Sequence, residues 1–314
     1  MNLSIVIVNW NTREMLRDCL ASVLAGGKPD DTEIIVVDNA SADGSPEMVE
    51  ADFPSVILIR NTENRGFAAA NNQSFDVAKG RYVLLLNSDT LVHGCVLEDS
   101  VTYMESHPDV GAMGCRVLNT DGTVQLTCSQ FPTLFNLLLL TSGLWKLPWP
   151  RFLGKYQMTH WRRDDERDVD VISGCYLMVR DSALAGTGGL DEDFFFFGEE
   201  TDWCRRLADD GWKLRFAPVG EITHFGGGSV RRLNHVRDLM LSNATVRLHR
   251  KHGGVMAAGL AWLILFGFNL SRAVFWSFRS ALSRARPTRE RRDHFLGVTG
   301  RFGEAWTEVK RDMA

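Results

Sequence analysis

The stretch RYVLLLNSDT, residues 81–90, joins five consecutive apolar residues to a polar end. An apolar run with no polar face is typical of a strand that is buried on both sides of a sheet. The run ends on Asn87, Ser88 and Asp89, whose side chains carry oxygen atoms. Because the end of a buried strand is rigid, we predict that these oxygens hold a ligand. Asn, Ser, Asp and Thr also form turns, so the stretch alone leaves a plain turn open.

The same alternation of apolar runs and amphipathic stretches is repeated through the first 115 residues. SIVIVNW (4–10), EIIVVDN (33–39), VILIRN (56–61) and RYVLLLNSD (81–89) are each separated by a stretch with helical periodicity. This alternation predicts an α/β fold with a Rossmann-like, mostly parallel central sheet and flanking helices. Beyond residue 117 shorter strands indicate more antiparallel pairing, and the last eighty or so residues are predicted to be helical.

Ligands of such sheets bind at the carboxyl ends of the strands, where this chain places several polar side chains. Asn9 and Asn11 follow the first apolar run, and Asp38 closes the second. Asp38 can accept hydrogen bonds from a base or a ribose, although Asp also caps helices. Asp89 beside Ser88 is a suitable hard-oxygen ligand for Mg²⁺ or Mn²⁺. Neither GxGxxG nor a P-loop motif is present to bind phosphates.

A second acidic group lies in FFFFGEETDWCRR, residues 194–206. Glu199, Glu200 and Asp202 stand at the start of a predicted helix, a position that acidic residues favour for purely structural reasons. Two adjacent glutamates beside an apolar wall raise one another's pKa, which suits a general base.

The segment ITHFGGGSVRR, residues 222–232, offers groups that bind phosphate or metal. His224 precedes three glycines and can complete a metal site, although a single His is more often structural. Arg231 and Arg232 are candidate ligands of phosphate oxygens. The glycines permit close approach of the backbone to a phosphate, or form a plain flexible loop.

Composition excludes some classes of partner. The net charge of −4, with 24% charged residues, gives no reason to expect nucleic acid. Six scattered cysteines without a CxxC pair indicate reduced thiols, as in the cytoplasm.

Two apolar stretches, residues 131–154 and 253–271, do not fit a soluble core. The first mixes Trp with Lys and Arg, as membrane interfaces do, and the second has marginal transmembrane length. From residue 272 onward there are ten Arg or Lys against five Asp or Glu. We expect C-terminal helices that lie peripherally on the inner face of the cell membrane. A true membrane span of residues 253–271 and packing on the rest of the protein are the alternatives.

Seven segments in a fixed order resemble family-2 glycosyltransferases of the rhamnosyltransferase-like group. They are SIVIVNWN, VVDNASADGS, ENRGFAAANN, LLLNSDT, GCYLMVR, FFFFGEETDWCRR and HFGGGS. The resemblance covers residue 3 to about residue 230. It implies a GT-A fold and a metal-dependent, inverting transfer of a sugar from a nucleoside diphosphate.

The resemblance also implies roles for the donor-side residues. Asp38 matches the aspartate that contacts the base, and Asn9 and Asn11 line the same pocket. Residues 87–89 match the DxD-like motif, in which Asn87 here replaces the first carboxylate. Asp89 is therefore the only carboxylate of the motif and the expected metal ligand.

On the acceptor side, Glu200 matches the catalytic base, which is often Asp in this family. Glu199 and Asp202 are its expected supporting residues. His224 matches the histidine that completes the metal site.

These matches imply three regions. They are a nucleotide-sugar-binding half (1–115), an acceptor-binding and catalytic half (116–230) and a membrane-associated helical region (231–314). The expected activity moves a sugar, with rhamnose from dTDP-rhamnose as the preferred donor, to a lipid-linked or polysaccharide acceptor in cell-surface glycan synthesis. The alternative is a non-catalytic, sugar-nucleotide-binding membrane adaptor, which would need no base.

Overall fold

A nine-stranded mixed sheet forms the framework of the protein in the computed structural model, which describes residues 1–147, 150–226, 234–282 and 285–307. The strands are β1 (Leu3–Asn9), β2 (Thr32–Asp38), β3 (Ile57–Arg60), β4 (Tyr82–Leu86), β5 (Thr90–Val92), β6 (Val110–Leu118), β7 (Cys128–Ser129), β8 (Arg167–Asp168), β9 (Val171–Ile172), β10 (Tyr176–Arg180) and β11 (Lys213–His224). Their order in the sheet is β3-β2-β1-β4-β10-β6-β11-β5, β8 pairs with β11, and β7 and β9 form a separate pair.

Strand direction changes along the sheet as the sequence predicts. Strands β3, β2, β1 and β4 are parallel neighbours. Strand β10 then runs antiparallel to both β4 and β6, whereas β11 is parallel to β6 and antiparallel to β5. The predicted α/β architecture, parallel in its first part and more antiparallel in its second, is confirmed.

The helices of the described residues are α1 (Arg13–Ala25), α2 (Ser45–Asp52), α3 (Phe67–Phe75), α4 (Val96–Ser106), α5 (Leu134–Ser142), α6 (Asp181–Thr187), α7 (Glu199–Asp209), α8 (His235–Leu282) and α9 (Arg286–Gly300). Helices α1, α2 and α4 pack on one face of the sheet, and α3, α6 and α7 pack on the other. Alternate residues of a strand point to opposite faces. Leu84 of β4 packs with α1 and α4 residues, while its neighbour Leu85 packs in a second core with α3 and α7 residues. Two covered faces explain why β4 is apolar throughout.

By internal contacts the chain forms two units. The first comprises Met1–Phe131, Gln157–Phe195 and Glu199–Ser229, and contains the sheet. The second comprises Pro132–Tyr156, Phe196–Gly198 and Val230–Ala314. The division predicted between residues 115 and 116 falls within β6. The division predicted at 230 and 231 falls outside the described residues.

The second unit is helical, as predicted for the C-terminal region. Helix α8 is interrupted at Gly254, whose backbone angles (φ 78°, ψ −178°) are not helical. The core of the second unit contains Leu239, Val298 and Phe302, and Trp262 packs against them. Among the described residues, α8 is the one helix that is long and apolar enough to cross a membrane.

We expect Leu84→Ala to lower the free energy of unfolding by about 2–5 kcal/mol, because it opens a cavity between the sheet and its helices. Leu84 is fully buried, whereas Leu24 on α1 is 42% exposed. Urea unfolding followed by circular dichroism measures both changes. Leu24→Ala is the matched control, with an expected loss below about 1 kcal/mol. Equal losses would contradict the assignment of β4 to the interior.

Candidate active site

Asn9 and Asp38 meet at the carboxyl ends of neighbouring strands. Strand pairing sets them directly opposite one another. Nδ2 of Asn9 donates to Oδ1 of Asp38 at 2.9 Å, and the N–H of Ser41 donates to Oδ2 at 2.9 Å. Asp38 is only 2% exposed. These two donors compensate its burial and hold the carboxylate at the edge of the sheet.

Asn11 fixes the loops that follow β1 and β2. Its N–H donates to Oγ of Ser41 at 2.9 Å, and its Oδ1 accepts the N–H of Ala42 at 2.8 Å. Asn11 and Ala40 both have positive φ, 54° and 63°. Asn tolerates this backbone region better than Ala does. The Asn11 side chain, predicted to line the donor pocket, therefore also anchors the adjoining loop.

Thr12 connects these residues to the polar end of β4. Its hydroxyl donates to Oδ1 of Asn9 at 2.6 Å and lies 2.9 Å from Oγ of Ser88. A threonine directly after a strand loop carries no periodic signal, and the sequence analysis missed it. It makes one hydrogen-bonded chain from Asp38 through Asn9 to Ser88.

Asp89 and His224 lie side by side although 135 residues separate them in the sequence. Antiparallel pairing of β5 and β11 sets His224 opposite Thr90, and the N–H of Phe225 donates to the carbonyl of Asp89. Oδ1 of Asp89 is 3.2 Å from Nε2 of His224. Two adjacent ligands of an octahedral Mg²⁺ or Mn²⁺ are separated by about 3.0 Å. The pair therefore fits one divalent cation.

The described side chains supply only part of the ligands that such an ion needs. No cluster of three His, Cys, Asp or Glu side chains that could hold a metal occurs within the described ranges. Mg²⁺ usually keeps waters and phosphate oxygens besides one or two carboxylates. Nδ2 of Asn87 lies 3.3 Å from Nε2 of His224, so it borders the same position. A metal ion held by Asp89 and His224 would keep coordination positions for the phosphate oxygens of a nucleotide.

Glu200 approaches the same region through the segment that precedes β10. A methyl group on Gly174 would lie 4.0 Å from Cβ of Glu200. The next residue, Cys175, accepts the N–H of Asn87 at its carbonyl, at 3.3 Å. Burial raises the pKa of the Cys175 thiol to about 12, and the charges of Asp89 and Glu200 also raise it. Residues 174 and 175 thus connect the start of α7, where Glu200 lies, to Asn87 at the end of β4.

Glu199 and Asp202 are buried at the start of α7. Oδ2 of Asp202 accepts Nε of Arg206 at 2.9 Å, and Arg206 also donates to the carbonyls of Thr187 and Gly189. Asp202 thus anchors α7 to the preceding loop. Oε2 of Glu199 has no hydrogen-bond partner within the described chain. Burial, and then the charge of Glu200, raise the pKa of Glu199 well above its usual range.

An amide network holds the loop after β3. Asn39 donates to Oδ1 of Asn64 at 2.9 Å and to the carbonyl of Gly66 at 3.1 Å. Asn61 donates to Oδ1 of Asn39 at 3.1 Å. Gly66 has φ 84°, and a Cβ there would lie 2.5 Å from the carbonyl oxygen of Phe195. Only glycine permits this approach.

Arg231 and Arg232, predicted to bind phosphate, lie outside the described residues. The remaining predicted site residues come from β1, β2, β4 and their loops, the start of α7 and the end of β11. They are Asn9, Asn11, Asp38, Asn87, Ser88, Asp89, Glu199, Glu200, Asp202 and His224.

The chain is similar in sequence to proteins that transfer sugars. Residues 4–185 match the family described as Glycosyl transferase family 2. The chain is 27% identical over 301 residues to the N-acetylglucosaminyl-diphospho-decaprenol L-rhamnosyltransferase of Mycobacterium tuberculosis, covering 90% of this chain and 95% of the relative. It is 27% identical over 227 residues to the low-salt glycan biosynthesis hexosyltransferase Agl10 of Haloferax volcanii, covering 71% and 67% of the two chains.

Solved structures share its fold. The mannosyltransferase PcManGT of Pyrobaculum calidifontis, in complex with GDP-Man and Mn²⁺, superposes with a TM-score of 0.55 at 16% identity, covering 98% of this chain and 88% of that chain. Residues 1–349 of S. aureus TarS, in complex with UDP-GlcNAc, give a TM-score of 0.53 at 15% identity, covering 99% and 82%. At these identities the likeness concerns the fold.

We expect the free energy of unfolding of the natural protein to fall as pH rises, and we expect Glu199→Gln to abolish this fall. A carboxyl group whose pKa is raised by folding stabilises the protein below its unfolded pKa, near 4.3, and loses that contribution as pH rises towards the folded value. The loss is at most about 1.4 kcal/mol per pH unit. Gln mimics the protonated acid and has no such slope. Urea unfolding between pH 5 and pH 8 measures it.

The exposed Glu98 on α4 provides the control, because Glu98→Gln should leave the slope unchanged. A Glu199→Gln protein that loses stability with pH as steeply as the natural protein would show that Glu199 ionises normally.

Proposed function

Because this chain belongs to glycosyl transferase family 2 and is an enzyme that transfers sugars, we propose that it moves a sugar from a nucleoside diphosphate to an acceptor with inversion at the anomeric carbon. One observation carries this proposal: Oδ1 of Asp89 and Nε2 of His224 lie 3.2 Å apart, the spacing of two neighbouring ligands of one divalent cation.

The donor binds at the carboxyl ends of β1, β2 and β4. Asp38, oriented by Asn9, accepts hydrogen bonds from the base or ribose. Asn11 shapes the adjoining loop, and Asn87 and Ser88 border the diphosphate. Arg231 and Arg232 are proposed to contact the phosphates on the evidence of sequence alone.

The metal is Mg²⁺ or Mn²⁺ held by Asp89 and His224. When bound, it neutralises charge on the diphosphate and so stabilises the leaving group. Asn87 borders the same position.

Glu200 acts as the general base. Its carboxylate removes the proton from the acceptor hydroxyl as that oxygen attacks the anomeric carbon from the face opposite the diphosphate. The bond from carbon to the diphosphate oxygen breaks in the same displacement, so the configuration inverts and no covalent intermediate forms. Burial and the charge of Glu200 raise the pKa of Glu199, which favours its uncharged form and limits negative charge beside the base. Asp202 keeps α7, and therefore Glu200, in place.

The proposed sugar is rhamnose from dTDP-rhamnose, and the proposed acceptor is lipid-linked or a polysaccharide in cell-surface glycan synthesis. This choice is supported by the Mycobacterium tuberculosis relative, whose name specifies an L-rhamnosyltransferase and a decaprenol-linked acceptor. That relative is matched over nearly its whole length.

We expect Glu200→Gln to lower kcat by about 10²–10⁴ while the donor dissociation constant changes less than threefold, because the amide cannot accept the proton. Calorimetry with a panel of sugar nucleotides and Mn²⁺ measures donor binding, and release of nucleoside diphosphate measures turnover. Glu98→Gln serves as the control. Equal loss of donor binding would make Glu200 structural, and a natural protein that binds no donor in the panel would refute the donor proposal.

The second unit is proposed to rest on the inner face of the cell membrane. After Gly254, one side of α8 presents apolar residues that recur every three or four positions, the spacing of a single helical face. They are Met256, Leu260, Leu263, Leu270, Val274, Phe278 and Leu282, each between 42% and 83% exposed. Ala258, Ala261 and Ala273 on the opposite side are buried. An exposed apolar stripe of this length marks an interaction surface.

Charge beside the stripe favours a lipid surface. Arg272 lies over the ring of Phe268 at 5.1 Å, and Arg291 of α9 lies over Trp276 at 4.8 Å. Arginines and tryptophan flanking an apolar stripe are typical of helices that lie in an anionic interface. The 131–154 stretch adds exposed Phe135 and Phe152 to the same unit.

We expect the triple variant Leu260→Ser, Leu263→Ser, Val274→Ser to bind vesicles of phosphatidylcholine and phosphatidylglycerol at least tenfold more weakly, because each change removes buried apolar area. Vesicle flotation measures binding. The matched control removes exposed apolar side chains elsewhere, through Leu24→Ser, Val77→Ser and Leu126→Ser. Equal vesicle binding by the two triple variants would show that the apolar stripe of α8 is not the membrane-binding surface. Resistance of the natural protein to carbonate extraction from membranes would indicate a span instead.

A further inference from the structure

We propose that Gln125 is a positioning residue that fixes the tautomer of His224, so that the Nε2 lone pair faces Asp89 and is available to a metal. Oε1 of Gln125 lies 2.8 Å from Nδ1 of His224. A carbonyl oxygen only accepts hydrogen bonds, so Nδ1 must carry the proton. The inference rests on the proposed function, in which His224 is a metal ligand.

The orientation of the Gln125 amide follows from a chain of hydrogen bonds that begins at a carboxylate. Thr123 Oγ1 donates to Oδ1 of Asp121 at 2.6 Å, because an ionised carboxylate only accepts. The Thr123 oxygen then accepts Nδ2 of Asn119 at 2.9 Å. Oδ1 of Asn119 in turn accepts Nε2 of Gln125 at 2.9 Å. Each step fixes the next, which leaves Oε1 of Gln125 facing His224.

A tight turn after β6 brings Gln125 back beside the end of that strand. The N–H of Asn119 donates to the carbonyl of Thr123 at 2.8 Å, and Gly122 at the turn has φ 80°. The N–H of Gln125 donates to the carbonyl of Val117 at 2.8 Å. Backbone bonds therefore hold both ends of the hydrogen-bonded chain, and the histidine is oriented by a preformed structure.

Contacts with Gln125 and Asn87 disfavour the opposite tautomer, although Nε2–H in that tautomer would donate to Oδ1 of Asp89. With the proton on Nε2, the lone pair of Nδ1 would face Oε1 of Gln125 at 2.8 Å, and two acceptors at this distance repel. Nδ2 of Asn87, 3.3 Å from Nε2, is a donor and also requires a lone pair there. With the proton on Nδ1, Nε2 carries the lone pair and lies 3.2 Å from Oδ1 of Asp89. Two electron-rich atoms so placed attract a cation.

The tautomer can be read directly in metal-free protein. Long-range ¹H–¹⁵N correlation spectra of the imidazole distinguish protonated from unprotonated ring nitrogens. In natural protein with a neutral ring we expect the proton on Nδ1 of His224. Gln125→Glu keeps an acceptor at the same place and should keep this tautomer. Gln125→Met removes the acceptor and should shift the proton to Nε2, where Asp89 accepts it. A natural protein with Nε2 protonated, or a Met variant that matches it, would overturn the proposal.

Metal affinity separates failure of this inference from failure of the proposed function. Titration with Mn²⁺ alone, followed by electron paramagnetic resonance of the free ion, should show affinity ten- to a hundredfold lower for Gln125→Met than for natural protein. Gln125→Glu should rescue affinity to within threefold. Gln130→Met, a change of the same residue type five positions along, should have no effect. Natural protein whose Mn²⁺ affinity is unchanged by His224→Ala would refute the metal site itself. Equal affinity of natural and Gln125→Met protein, with His224→Ala impaired, would refute only the role of Gln125.

Discussion

Strand pairing is the constraint on which this site depends. Asn9 lies opposite Asp38 because β1 and β2 are parallel and in register, and His224 lies opposite Thr90 because β11 is antiparallel to β5. A shift of one residue in either pairing would turn each side chain to the other face of the sheet. Apolar residues of β1 and β2 pack in the cores on both faces of the sheet, and this packing opposes a shift in the first pairing. The packing of the core thereby fixes the positions of polar groups that are far apart in the chain.

Much of this arrangement is readable from sequence. Uninterrupted apolar runs predict the parallel strands, and polar residues that end them lie together at the carboxyl edge of the sheet. The GT-A fold and the assignment to family-2 glycosyltransferases similar to rhamnosyltransferases are confirmed. The comparisons identify an enzyme, which excludes the alternative of a non-catalytic adaptor. Thr12 and Gln125 were not predicted, because single polar loop residues have no period, and the partner of Gln125 is 99 residues away.

The two adjacent glutamates show why residue type alone does not assign a role. The sequence suggests that both have raised pKa values. In the structure Glu199 is 4% exposed, and its pKa is raised by burial first and by Glu200 second, whereas Glu200 is more exposed. Helical geometry turns consecutive side chains by about 100°, so the two glutamates have different surroundings. A pair that looks equivalent in sequence therefore differs in burial, and burial raises the pKa of Glu199.

Charge at this edge gives the proposed metal a physical reason that is independent of any resemblance. Asp38 and Asp89 place acidic side chains at the ends of β2 and β4, and a nucleoside diphosphate would add about two further negative charges. Bringing those phosphates next to Asp89 without a cation would cost interaction energy that grows as the site excludes water. An imidazole ligand such as the proposed His224 would add no negative charge to the site, whereas a second carboxylate would. The same cation would reduce the repulsion between Asp89 and the incoming diphosphate. It would also neutralise the charge that develops when the diphosphate departs, so donor binding and catalysis would both depend on this cation.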